Sequence, residues 1–132
     1  MAILTGSGDA FCAGADLKTY IPPIIEGERS IREIVDVGFG GLTRGLHRIT
    51  KPIIGAVNGA AYGGGCEIAG ACDFLYAADT ARFALTEVTL GIMPGGGGTQ
   101  TLPRAVGERR AKEMIPNRKP VTANTARGCV PG

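Results

Sequence analysis

Glycine is the residue that most restricts how this chain folds, because its 22 copies among 132 residues are clustered rather than spread. A triplet at 63–65 and a quartet at 95–98 interrupt otherwise apolar text, and the triplet runs straight into a thiol and a carboxylate in "GAAYGGGCE" (59–67). There is no Gly-X-Y period and no Ser/Gln-rich bias, so the clusters are neither collagen nor a flexible linker. Glycines placed between apolar segments mark positions where backbone comes close to a ligand or to another segment. The chain therefore folds as a packed domain with at least one close-approach site.

Composition supports such a domain. Hydrophobic residues make up 44% and charged residues 20%, enough for one core in a single soluble globular unit. Fourteen basic and 12 acidic residues leave a net charge of +2. Nucleic acid is not an expected partner, because no basic stripe forms: Arg29, Arg32, Arg44, His47 and Arg48 are interleaved with Glu28, Glu33 and Asp36. "RSIR" and "ERRAK" read as solvated helix faces. The four cysteines (Cys12, Cys66, Cys72 and Cys129) form no CxxC pair, and the single His47 lies on a different segment. No metal site is expected, and the thiols read as small core residues of a reducing compartment. No run of 18 apolar residues is present, so no membrane span is expected. The chain opens directly in "MAILTG", a strand-like run with no signal or transit peptide, and is expected to belong to something longer.

Periodicity gives the elements. "AILT" (2–5) is a short buried strand stopped by "GSGD". "FCAGADL" (11–17) passes from loop to helix, and the prolines of "IPPIIEGE" break regular structure. Ile31, Ile34, Val35, Leu42, Leu46 and Ile49 recur at helical spacing and predict a helix from Ser30 to about Ile49. Its internal glycines either cost about 1 kcal/mol each or permit close packing. "KPIIGAVNG" (51–59) is a buried strand ending in a tight Asn-Gly turn, and "GGCEIAGACD" (64–73) is a short helix born in the glycines. "FLYAAD" (74–79) and "ARFALTE" (81–87) are strands. Thr99 caps a helix reaching Ala105, and "GERRAKEMI" (107–115) is amphipathic. Text after Pro116 is polar and broken by proline and glycine, and is expected to end on the surface or as an unfinished element. Short strands alternating with helices make the class α/β.

A helix starting at Gly64 or Gly65 presents N–H groups that have no partner within the helix, at the positive end of its dipole. With no side chain in the way, an oxygen can approach them, which is half of an oxyanion hole. The loop "CAGAD" (12–16) offers backbone of the same bare kind for a second donor. Glu67 falls on the first turn, beside that oxygen, where desolvation raises its pKa toward general acid–base use. Glu87 follows 20 residues later, after intervening strand, and can return to the same cleft. Two carboxylates facing one reacting carbon can add or remove water across a double bond. Each feature also has a plainer reading: a glycine triplet as a turn or packing site, Glu67 as a helix N-terminal acid, Glu87 as the close of a strand. Spacing by itself leaves both open.

At these residues the sequence resembles the crotonase family, the enoyl-CoA hydratases and isomerases. "AFCAGADLK" (10–18), "KPIIGAVNGAAYGGGCEIAGACDFLYAAD" (51–79) and "ARFALTEVTLGIMPGGGGTQTLPRAVG" (81–107) match its motifs in order, and the likeness runs to about Ile115. It implies a crotonase-like spiral of β-β-α units, here incomplete: residues 1–132 as one partial enoyl-CoA hydratase/isomerase domain lacking its N- and C-terminal parts. It implies the backbone N–H groups of Ala15 and Gly64 as the oxyanion hole, Glu67 and Glu87 as the paired catalytic acids, and Ala13, Asp16, Leu17 and Lys18 as the segment along coenzyme A. The reaction implied is hydration of a 2-enoyl-CoA, or its reverse, through a thioester enolate. Isomerase or acyl-CoA hydrolase chemistry, or a non-catalytic fragment, are the alternatives. No cofactor is implied, since coenzyme A is part of the substrate. The partner is an acyl-CoA thioester, the full-length assembly a homotrimer or hexamer, and the compartment the cytoplasm or mitochondrial matrix.

Overall fold

The computed structural model describes residues 1–129. Apolar runs become strands in consecutive pairs: Ala2–Thr5 (β1) and Ala10–Cys12 (β2), Ile53–Val57 (β3) and Ala60–Tyr62 (β4), Phe74–Ala77 (β5) and Arg82–Ala84 (β6). Members of a pair do not bond to each other. β1, β3 and β5 form one parallel sheet in the order β1-β3-β5. β2, β4 and β6 run parallel in a second sheet, extended at β6 by antiparallel Val121–Thr122 (β7). Helices follow each pair: Leu17–Ile25 (α1), Ile31–Val37 (α2) and Phe39–His47 (α3) after the first, Gly64–Gly70 (α4) after the second. A 3-10 turn at Glu87–Leu90, then Gly98–Val106 (α5) and Glu108–Asn117 (α6), follow the third, and Ala123–Cys129 (α7) follows β7. The result is a spiral of β-β-α turns.

Alternation explains β3: Ile53, Gly55 and Val57 are buried, while Ile54 and Ala56 on the other face are half-buried. Val57 joins Phe11, Ala61, Ile68, Ala69, Ala81 and Phe83 in a core built from the strands and α4. A fully buried Val or Phe side chain stabilises by about 1.5–3 kcal/mol. The alanines let the layers approach closely. On β5, by contrast, Phe74, Leu75 and Tyr76 remain exposed.

Several sequence expectations are corrected. The Asn-Gly step is not a hairpin turn, because β3 and β4 lie in different sheets and the chain crosses between them there. Asn58 Oδ1 accepts from the Gly6 N–H at 3.0 Å, and its Nδ2 donates to the Gly8 carbonyl at 2.8 Å, tying this crossing to the one between β1 and β2. Phe11 and Cys12 are strand rather than loop. Pro22 and Pro23 do not break α1 but lie inside it. The carbonyls their missing N–H groups would have served belong to Lys18 and Thr19, both exposed residues, where losing a helix hydrogen bond costs less than it would in the core. The helix expected over 30–49 is two, broken at Gly38, and a Cβ on Gly41 would strike the Asp36 carbonyl, so that glycine serves close packing. Thr99 lies inside α5, whose N-cap is Gly97. The tail after Pro116 forms β7 and α7.

Candidate active site

The site grows from the start of α4. Gly63, its N-cap, has φ 51° and ψ −124°, a conformation that side chains disfavour. A Cβ at Gly63 would also stand 3.2 Å from Thr86 Oγ1 and 3.5 Å from Glu87 Oε1. Gly65 packs against the Cys12 carbonyl so tightly that a Cβ there would overlap it. The bare triplet thus lets α4 begin flush against the end of β2 and beside the segment after β6. Cys66 and Glu67 N–H groups return to the Gly63 carbonyl at 2.9 and 3.1 Å, whereas Gly64 and Gly65, the first two residues of the helix, precede that bonding. The Ala13–Ala15 loop lies alongside: a Cβ on Gly14 would be 3.5 Å from the Gly64 nitrogen.

Glu67 is 3% exposed. Its Oε1 accepts from the Gly96 N–H at 2.7 Å and the Gly98 N–H at 2.8 Å, so the glycine quartet is a cradle for this carboxylate. Burial pushes its pKa up, the Gly98 N–H pulls it back, the Glu87 charge raises it again, and the Gly96 N–H opposes that. Glu87 opens the 3-10 turn. Its pKa is also raised, chiefly by burial, with its own and the Thr86 backbone N–H groups opposing. Glu87 Oε2 is buried and makes no hydrogen bond among the described residues. The neighbouring Cys66 thiol is pushed up to about 12 by burial and by the Glu87 and Glu67 charges, so it stays protonated and is no nucleophile at neutral pH.

Both acids line one cleft of about 320 Å³, with Ala13, Ala15, Leu17, Gly64 and the glycines of the quartet. Most of the remaining wall is apolar. Leu17, Tyr20, Ile21 and Ile24 come from one stripe of α1, and Phe39, Leu90, Ile92 and Met93 come from elsewhere. That stripe has i, i+3, i+4, i+7 spacing, which explains why a helix forms here despite its prolines. Asp16 and Lys18 do not line the cleft. Asp16 caps α1, accepting from the Lys18 N–H at 3.1 Å and the Thr19 hydroxyl at 2.8 Å, and Lys18 is exposed. Among the described residues no group of three or more His, Cys, Asp or Glu side chains is placed to hold a metal ion. Nor is any described helix long and apolar enough to cross a membrane.

A two-sheet β-β-α spiral that carries two partly desolvated acids to a glycine-started helix defines a narrow class of protein. The sequence model of the enoyl-CoA hydratase/isomerase family matches residues 1–129, and the chain belongs to that family. It is 41% identical over 126 residues to the 2,3-dehydroadipyl-CoA hydratase of Escherichia coli K12, covering 96% of this chain and 47% of that protein. It is 42% identical over 125 residues to the mitochondrial enoyl-CoA hydratase of Pongo abelii, covering 95% of this chain and 41% of that one. The solved enoyl-CoA hydratase of Bacillus anthracis superposes with a TM-score of 0.88 at 43% identity, over 97% of this chain and 48% of that one. The fold is therefore crotonase-like. The chain spans about half the length of the curated relatives it matches.

Proposed function

We propose that these residues form the catalytic centre of an enoyl-CoA hydratase, adding water across the C2–C3 double bond of a 2-enoyl-CoA. The observation that carries this reading is the pairing of Glu67 and Glu87 in one largely apolar cleft, with their oxygens tied differently. Glu67 has one oxygen fixed by two amides, which favours its ionised form. It takes the proton of water as the water oxygen bonds to C3. The double-bond electrons move toward the thioester, and negative charge gathers on its carbonyl oxygen. The N–H groups of Ala15 and Gly64 hold that oxygen, a reading supported by the closeness of the 13–15 loop to the Gly64 nitrogen. Each such donor is worth about 3–4 kcal/mol in the transition state. Glu87 Oε2 is buried with no hydrogen bond among the described residues, and burial outweighs the Glu87 and Thr86 backbone N–H groups, which favours the protonated form. It gives its proton to C2, and the enolate collapses to the 3-hydroxyacyl thioester. The proton gained by Glu67 and the one lost by Glu87 balance, and solvent exchange resets both.

Ala13, Asp16, Leu17 and Lys18 lie along coenzyme A in this reading, with Lys18 the only cation of that segment. Residues 1–132 then form part of one hydratase/isomerase domain, assembled as a homotrimer or hexamer, in the cytoplasm or mitochondrial matrix. The four free thiols are consistent with a reducing compartment.

The test is hydration of crotonyl-CoA by purified protein, followed as loss of the enoyl-thioester absorbance, in the parent and in Glu67→Gln and Glu87→Gln. Each variant is expected to lose about 100- to 10,000-fold in kcat with KM little changed. Near-parental kcat in either variant, or double-bond migration without hydration by the parent, would overturn the reading.

A further inference from the structure

We propose that Thr43 is a positioning residue for Glu67, acting through the glycine quartet, an inference that rests on the hydratase reading of the same cleft. Thr43 lies on α3 and is 4% exposed; with Glu67 it is one of the buried polar or charged side chains. Its Oγ1 is 2.6 Å from the Gly96 carbonyl, 2.9 Å from the Phe39 carbonyl and 3.2 Å from the Gly40 carbonyl. A hydroxyl has one proton to give. A threonine within a helix ordinarily gives it to the carbonyl one turn back, here Phe39. In this molecule the shortest contact points away from the helix, to a residue 53 positions later.

Gly96 sits at the junction. Its carbonyl takes the Thr43 hydroxyl, and its N–H holds Glu67 Oε1 at 2.7 Å. The peptide carbonyl and amide of one residue thus link α3 to the carboxylate on α4. The loop is held on both sides: a Cβ on Gly96 would lie 3.2 Å from Phe39 Cβ and would overlap Glu67 Oε2. Without the hydroxyl, the Gly96 carbonyl loses its buried donor and the loop is free to rotate. One of the two amides on Glu67 then drifts. The titratable groups facing Glu67 are Glu87, from the turn after β6, and Cys66 on its own helix. Thr43 does not itself line the cleft and touches none of these titratable groups; it reaches the wall through the carbonyls of Phe39, Gly40 and Gly96, and of these only Gly96 also holds Glu67.

Thr43→Val keeps the shape and deletes the donor; Thr43→Ser keeps the donor. A misplacement near 1 Å in a catalytic group costs about a hundredfold, so Thr43→Val is expected to lose roughly tenfold or more in kcat with KM unchanged. The acidic limb of its pH–rate profile should move to higher pH, because an amide favouring ionised Glu67 has been weakened. Thr43→Ser should restore both. A second readout does not depend on turnover: titration of the ¹³C-labelled Glu67 side-chain carboxyl, expected at higher pH in Thr43→Val and at the parental position in Thr43→Ser. If the parent shows no hydration but the carboxyl titration moves as stated, the hydratase reading fails and the positioning role stands. An unmoved titration in folded Thr43→Val overturns the positioning role. So does a Thr43→Ser variant as impaired as Thr43→Val. Should Thr43→Val fail to fold, Thr43→Ala is read by the same titration against the same outcomes.

Discussion

At the scale of single residues, the site is a place where stability and chemistry pull apart. Glu87 keeps one oxygen buried without a hydrogen bond and next to a second acid, an arrangement that costs folding free energy. Its folded-state pKa is raised above the ordinary value of 4.5, so the native state binds its proton more tightly than the unfolded chain does. The linkage sign follows: this contribution favours folding below the ordinary value and is lost as pH rises through the folded value. Glu87→Gln is therefore expected to melt at higher temperature than the parent at pH 8, with the difference shrinking toward pH 4, while hydration collapses. Paired thermal melts at the two pH values check it; a variant less stable at pH 8 would remove the claim that this oxygen is strained. The sequence singled out both acids, one behind a glycine triplet and one after a strand run, but spacing alone left each open to a plainer reading; the structure brings the two to one cleft. Thr43 was not singled out. Its sequence neighbours make it an ordinary helical threonine, and the partner that matters lies 53 positions away.

Among elements, the two glycine clusters do different work. The triplet lets α4 start against Cys12, whereas the quartet wraps a carboxylate. Gly96→Ala would place a methyl where Glu67 Oε2 sits. Because the loop is held between α3 and α4, Glu67 is what gives way, and kcat is expected to fall about a hundredfold with near-parental circular dichroism. Parallel steady-state kinetics and far-ultraviolet spectra test this, and normal kcat would show that the cradle tolerates the methyl. β1, β3, β5 and β6 were legible from short apolar runs bounded by glycine and proline, although β1 is mostly exposed rather than buried; β2, β4 and β7, two or three residues each, were too short to carry a pattern. The helices were read less well wherever glycine or proline was weighed as a breaker. Pro22 and Pro23 sit in α1 because the Leu17, Tyr20, Ile21 and Ile24 stripe faces the cleft and Asp16 caps the start. No residue of α1 is buried, so the helix persists on its Asp16 cap and on a half-buried stripe at Tyr20, Ile21 and Ile24 rather than on core packing. Gly38, by contrast, did break the helix expected over 30–49, allowing α3 to turn back and reach the quartet.

For the whole molecule, the decisive device is the repeated crossing from one sheet to the other, and local sequence does not reveal it. Asn-Gly is a strong hairpin signal when the flanking strands pair, but β3 and β4 each find parallel partners elsewhere. Gly59 is buried at this crossing, with the Asp9 carbonyl where a Cβ would go. Asn58 stitches the same crossing to Gly6 and Gly8. Forcing a methyl into that contact moves two backbones at once, and overpacking of this kind costs about 1–3 kcal/mol. Gly59→Ala is expected to lower the urea midpoint accordingly, with Asn58→Ala losing a similar amount because it strips a partner from a half-buried amide. Neither residue lines the cleft. The folded fraction of either variant should therefore turn over with parental KM, and any loss of apparent kcat should track the unfolded fraction measured under the same conditions. A fall in kcat at full folding would mean that the crossings do more than hold the sheets together, and that strain introduced at Gly59 reaches the acids through β4 and the start of α4.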